Sequence, residues 1–231
     1  MFLYSILLLG SFIIPFSLSF DKKLRFYKQW KFVLPSIAIV AVFYIIFDIY
    51  YTKGGVWGFN PMYHSEFLIN GLPIEECLFF IVIPYASIFL HEAFVLYFPS
   101  IKLNYKLARL ISFGIITISV IVILFNYDKA YTLYAYSLLI VSLFISLFDK
   151  KRLASHFYIT FLFILIPFFI VNGILTGTFI ESEVVWYNNI ENLGIRILTI
   201  PVEDFAYGFS MIFFNLLLIG KLKTMMSKDV I

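Results

Sequence analysis

The sequence holds a single cysteine in 231 residues, Cys77. An internal disulfide is therefore impossible and paired thiolates cannot bind a metal, which leaves Cys77 a small buried apolar role. Charge is scarce as well: 13% of residues are Asp, Glu, Lys or Arg, against roughly 25% in soluble domains. The net charge of +3 is too small to point to nucleic acid, and no basic helix or tail stands apart from the apolar runs. No G-x-G-x-x-G follows a strand pattern, so a dinucleotide or flavin fold has no support and no cofactor is expected. No pair of Asp-rich motifs suited to Mg²⁺ and diphosphate occurs, which argues against prenyl transfer. "HEAFV" at 91–95 lacks the second His of a zinc-protease helix, so no metal is expected. The last apolar run, Ile197–Ile219, contains no Lys, so a retinal Schiff base has no anchor there.

What the chain does have is apolar surface. It is 62% hydrophobic and 21% aromatic, with a mean hydropathy of +0.96. No water-soluble fold of this length can hide that much, so the solvent must be lipid. Seven segments approach the roughly 20 residues a crossing needs: Phe2–Phe20, Phe32–Tyr51, Leu72–Phe98, Leu107–Phe125, Ala130–Phe148, Phe157–Leu175 and Ile197–Ile219. The first has no basic stretch before it and no small-residue cleavage site, and a basic cluster follows, so it is expected to stay as an anchor. The expected fold class is an all-α integral membrane protein with seven transmembrane helices. Basic residues set its orientation. Fourteen of the 17 fall in the first, third and fifth connections and the C-terminal tail, including Lys150 and Lys228. Only Lys53, Lys129 and Arg196 lie in the alternate loops. The expected location is the cell membrane, with the N-terminus outside and the C-terminus cytoplasmic.

An internal repeat runs through these segments. "SLSFDKKLRF" at 17–26 echoes "SLFDKKRLAS" at 146–155, and Asp21 and Asp149 are 128 positions apart. "LPIEECLFF" at 72–80 echoes "IPVEDFAYG" at 200–208, again with Glu75 and Glu203 128 apart. Between these anchors both copies carry a Gly-containing turn and reach a Trp, Trp57 and Trp186. The expected organisation is a first repeat over residues 1–99, a linker helix over 100–128 and a second repeat over 129–231. One linking span makes the copies parallel, so both acidic pairs lie at one depth and face one shared cavity.

Six acidic residues fall inside the spans: Asp48, Glu75, Glu76, Glu92, Glu203 and Asp204. Each costs about 2.5–3.5 kcal/mol on insertion scales, and an ionisable group in a span is a functional hypothesis by default. Helix capping behind Pro73 and Pro201 accounts for one acid per helix. It does not account for the recurrence of Pro-Ile/Val-Glu-Glu/Asp. Consecutive helix residues point about 100° apart, so Glu75 and Glu76 cannot converge. A working pair forms between the copies, either Glu75 opposite Glu203 or Glu76 opposite Asp204, to move a proton in an apolar pocket. Asp48 and Asn172 occupy comparable places in spans two and six and are expected to line the same cavity. Phe79, Phe80, Phe205, Tyr207 and Phe209 lie within about a turn of the carboxylates, where aromatic faces can stabilise a cation. His91 and Glu92 lie about 24 Å deeper at 1.5 Å per residue, away from the chemistry, and His64 and His156 are expected in loops.

At these residues the chain resembles the lycopene cyclase domain family, the heterodimer-type membrane cyclases and the cyclase part of the fungal bifunctional enzymes. "LPIEECLFFIVIPY" and "IPVEDFAYGF" are similar to its Pro-x-Glu-Glu/Asp signature, as are "GVWGFN" and "GILTG…VVWYN…LGIR" before them. The resemblance covers nearly the whole chain and implies that the two subunits of the heterodimer are fused here. It implies ring closure at the open ends of lycopene, giving γ-carotene and then β-carotene without redox change, an isomerase-class reaction. Its implied partners are lycopene or a related linear carotenoid in the bilayer, membrane lipids, and other enzymes of carotenoid synthesis. Glu75 and Glu203 are then the expected proton-handling residues, with Glu76 and Asp204 as their partners. Hydration of the same cation, cyclisation of a longer C50 carotenoid, and a seven-helix proton carrier are the alternatives.

Overall fold

A computed structural model describes residues 2–149 and 151–228, the side chains of 227 and 228 excepted. Lys150 and the side chain of Lys228, both counted in the charge asymmetry, lie outside the described residues, as do Met1 and residues 229–231 at the ends of the expected repeats. The fold is mostly helical. Its helices are α1 (Leu3–Leu18), α2 (Trp30–Lys53), α3 (Ile74–Tyr97), α4 (Tyr105–Phe125), α5 (Ala130–Ser146), α6 (Leu153–Leu175) and α7 (Val202–Lys228), with a 3-10 turn at Phe26–Gln29 before α2. Helices suit these sequences because backbone N–H and C=O groups in lipid have no water to turn to. Among the described residues five helices are long and apolar enough to cross a membrane, that ending in Lys53 together with α3, α4, α6 and α7. The other two, α1 and α5, have 16 and 17 residues, about 24–26 Å at 1.5 Å per residue.

The chain exposes many large apolar side chains and buries several polar ones within its apolar core. Ile6, Ile14, Ile46, Leu110, Ile118, Leu124, Leu162 and Ile166 are exposed, while Ser36, Ser142, Thr160 and Asn215 are buried. The packed core lies among α2, α3, α5 and α7, where Ile37, Tyr44, Phe80, Leu143 and Phe213 are sealed together. α1 packs on α3 and α5 on α7, while α2 packs on both α3 and α7. α4 is peripheral, touching α5 and α6 and burying only Ala108, Ser112 and Ser119.

Two spans begin later than the hydropathy alone predicts, because their first residues form hairpins. β2 (Leu68–Ile69) pairs with β3 (Leu72–Pro73), and β5 (Arg196–Ile197) pairs with β6 (Ile200–Pro201). Each second strand runs directly into a helix, α3 or α7. The first turn is Asn70-Gly71, both at positive φ, the conformation two-residue hairpins favour. In the second, Leu198 takes the left-handed conformation.

The loops before these hairpins join through β1 (Trp57–Phe59) and β4 (Val185–Tyr187), which pair antiparallel with Gly58 opposite Trp186. Gly58 is required: a Cβ there would collide with the Trp186 indole. Trp57 pairs with Tyr187 and is buried, whereas Trp186 covers Gly58 and is part-exposed. Cys77 is buried, as expected.

Candidate active site

Both acidic pairs occupy the first turns of α3 and α7, immediately after a hairpin. The hairpin fixes where each helix begins, and the 100° step between neighbours then sends the two acids of a pair into different surroundings. Glu75 is spent on its own loop. Its Oε1 accepts from Ser5 Oγ (2.9 Å) and the Ser65 backbone N–H (2.9 Å), and its Oε2 accepts from Ser65 Oγ (3.1 Å). Glu203 does the same in the second half, accepting at Oε1 from Thr132 Oγ1 (2.7 Å) and the Leu193 N–H (2.7 Å). The offset from Glu75 to Glu203 and from Ser65 to Leu193 is 128 in both cases.

Glu76 and Asp204 turn instead to a common cavity of about 360 Å³, within the roughly 300–1,000 Å³ usual for small-molecule sites. The Tyr4 hydroxyl donates to Glu76 Oε2, and the Tyr131 hydroxyl donates to Asp204 Oδ1. Asp204 Oδ2 accepts from Tyr187 OH at 3.1 Å and from Asn172 Nδ2 at 3.3 Å. Burial, and then the Asp204 charge, push the Tyr187 hydroxyl well above its ordinary range, so it remains a donor. A third carboxyl group lines the same cavity. Asp48 Oδ1 accepts from the Trp57 indole N–H at 2.7 Å, while its buried Oδ2 has no partner.

The walls are apolar and aromatic. Phe79, Trp57, Tyr131, Tyr187 and Tyr207 surround the carboxyl groups, with Tyr131 stacked on Tyr187 at 5.5 Å. Ile83, Ala86 and Leu90 of α3 and Ile164, Pro167 and Phe168 of α6 extend the chamber along the bundle. Such a site sets a few fixed polar groups among apolar and aromatic walls.

Of the residues the sequence singles out, the cavity gathers Asp48, Glu76, Phe79, Asn172, Asp204 and Tyr207. Glu75 and Glu203 do not line it, so the pairing that the chamber supports is Glu76 with Asp204. Phe80 and Phe205 do not line it either. Phe80 sits one residue past Phe79 and turns into the core against Tyr44 and Tyr207, and Phe205 packs on Phe168 and Phe169. Phe209 packs with Phe157 and Phe213. His91 is buried against Thr160 Oγ1 at 2.8 Å, and Glu92 meets Gln29 and Lys223; neither His91 nor Glu92 lines the chamber. His64 lies in a loop, but His156 belongs to the first turn of α6. Among the described residues no three His, Cys, Asp or Glu side chains are gathered to hold a metal.

Sequence reasoning missed Tyr4, Tyr131, Tyr187 and the indole of Trp57. One signal for two of them was present: "YS" at 4–5 and "YT" at 131–132 recur 127 apart, each supplying a donor to both acids of its half.

A family model described as lycopene cyclase matches residues 1–94 and, again, residues 128–222. The chain belongs to the lycopene cyclase family. Membership supports a carotenoid cyclase role, acting on a carotenoid within the membrane. The first matched segment holds Tyr4, Asp48, Glu75 and Glu76; the second holds Tyr131, Asn172, Tyr187, Glu203 and Asp204. α4 falls between them. No curated protein and no solved structure matches the chain.

Proposed function

We propose that this chain is a membrane lycopene cyclase that closes the open ends of linear lycopene to rings, giving γ-carotene and then β-carotene. The observation that carries the proposal is one apolar chamber into which three carboxyl groups project, in a chain of the lycopene cyclase family. Seven spans build it as two parallel repeats, residues 1–99 and 129–231, joined by a linker helix over 100–128, with the N-terminus outside and the C-terminus cytoplasmic. The support for the repeat is that its halves make like contacts at like offsets. The support for the orientation is the distribution of Lys and Arg.

The reaction is an isomerisation. An acid delivers a proton to carbon 2 of the terminal alkene and leaves a tertiary cation at carbon 1. The 5,6 double bond attacks that cation, forming the bond between carbons 1 and 6 and moving the charge to carbon 5. A base then removes the proton at carbon 6, which gives the β ring; return of that proton from the base to the acid restores the enzyme, and no redox partner is consumed. Asp48 is the proposed acid, because its Oδ2 has no donor upon it and leaves room for a transferable proton. Asp204 is the proposed anionic partner, because three donors hold both of its oxygens as acceptors. Glu76, steadied by Tyr4, is the proposed base. Preorganised dipoles and the faces of Trp57, Tyr131 and Tyr207 stabilise the cation without water. Glu75 and Glu203 act as positioning residues that hold the loops and helix starts.

Expression in a lycopene-accumulating bacterium, with chromatography and mass measurement of the pigments, tests this. Cyclic products of unchanged mass are expected. Products 18 mass units heavier mean a hydratase, and unaltered lycopene contradicts the proposal.

A further inference from the structure

The two halves match in their carboxylate contacts but not in the space around them. Along the bundle the open chamber is walled mainly by α1, α3, α6 and α7, with Asp48 of α2 and Tyr131 of α5 beside Glu76 and Asp204. Its counterpart in the other half would be walled by α5, α7, α2 and α3, and that volume is the packed core. The difference lies in particular side chains. Gly208 lines the chamber, whereas the residue 128 positions earlier is Phe80, buried against Tyr44 and Tyr207. Ala86 lines the chamber, whereas the residue 128 positions later is Phe214, packed against the core. Ser11 lines it, whereas the residue 127 positions later is Leu138, buried in that core. On three helices a small residue on the open side answers a large one on the sealed side.

The chamber also has a continuation. A second apolar groove, lined by Phe94, Phe98, Phe163 and Ile166, shares Leu90 and Pro167 with it. Glu76 and Phe94 are 18 residues apart on α3, so chamber and groove together run about 27 Å along that helix at 1.5 Å per residue. This continuity suits the unreacted length of an extended polyene whose end is held at Glu76 and Asp204.

Resting on the cyclase reading, we propose that the protein has one ring-closing chamber, kept open by Gly208 and Ala86, with the rest of the polyene lying in the groove between α3 and α6. The sealed counterpart among α2, α3, α5 and α7 takes no substrate. A polyene with two reactive ends must then leave after the first closure and return reversed for the second.

The test uses membranes containing the full chain and isotopically labelled lycopene, chased with a large excess of unlabelled lycopene after the first turnovers. Labelled one-ring product that stays one-ring through the chase supports the proposal. Label that passes undiluted into two-ring product overturns it. Gly208→Phe and Ala86→Phe, each filling the chamber from a different helix, should lower ring closure about a hundredfold at unchanged membrane level. Gly208→Ala, whose Cβ would make only ordinary contact with Phe168 at 3.5 Å, should lower the rate far less than Gly208→Phe does. If both Phe variants, monodisperse on extraction, cyclise at the wild-type rate, the single chamber is wrong. If the wild type forms no ring at all, the cyclase reading itself has failed.

Discussion

Glu75 and Glu76 share the first turn of α3, as Glu203 and Asp204 share that of α7, yet the members of each pair meet different surroundings. One oxygen of Glu75 accepts a backbone N–H from the preceding loop, and Glu203 does likewise. Glu76 and Asp204 face an apolar chamber, each held by a tyrosine from α1 or α5. The lesson is that the recurrent acidic dipeptide combines two tasks. The first acid ties the loop to the helix start, and that tie fixes the direction in which the second one points. Beside Glu76 both oxygens of Glu75 are partnered, whereas beside Asp204 the buried Oε2 of Glu203 has no partner, and a buried polar group left unpaired costs about 1–3 kcal/mol.

The contrast predicts a ranked set of effects. The largest belongs to the chamber: Asp48→Asn should lower ring formation by about 10²–10⁴-fold, the range for a lost general acid, and Asp204→Asn by about 10²–10³-fold, the range for a lost electrostatic stabiliser, with protein levels unchanged in immunoblots. Next come the tyrosines. Tyr4→Phe and Tyr131→Phe remove a hydrogen bond to a carboxyl group, about 1.5–3 kcal/mol when the partner is charged, and should slow turnover roughly tenfold or more. Glu203→Ala leaves the Leu193 N–H and the Thr132 hydroxyl without their acceptor. It should cost about 1–3 kcal/mol of stability, read as a lower thermal midpoint in detergent, with the surviving protein still active. Full stability in that variant would mean Glu203 is no tie. The smallest effect is expected at the other end of the bundle, where Lys223 and Glu92 form a part-exposed pair at 3.2 Å. Lys223→Met should change stability by about 0–1 kcal/mol and turnover not at all.

Much of this was legible in the sequence, and the physics says why. Lipid demands long apolar runs, so the helices stand out, and the 128-residue offset between Glu75 and Glu203 pointed to paired sites. The hairpins were less visible, because Leu72, Pro73 and Ile197 are apolar and hydropathy cannot tell a buried two-residue strand from a span's first turn. Asn70-Gly71 carried the hairpin signal in the first half, but Leu198, an ordinary residue in a left-handed turn, gave none in the second. Choosing between Glu75 and Glu76 needed the helix phase, which the hairpin sets and the periodicity of an almost wholly apolar segment does not. Tyr4 and Tyr131 were hidden by the same uniformity, one aromatic among many. The unequal space around Gly208 and Phe80 is a matter of packing across four helices and has no local pattern to read.

The most direct measurement compares Glu76→Gln with Glu75→Gln in membranes loaded with lycopene, scoring rings formed per folded protein. The division of labour between the neighbouring acids predicts that Glu76→Gln loses at least about a hundredfold while Glu75→Gln stays within about tenfold of the wild type. Equal losses, or a larger loss at Glu75, would contradict it.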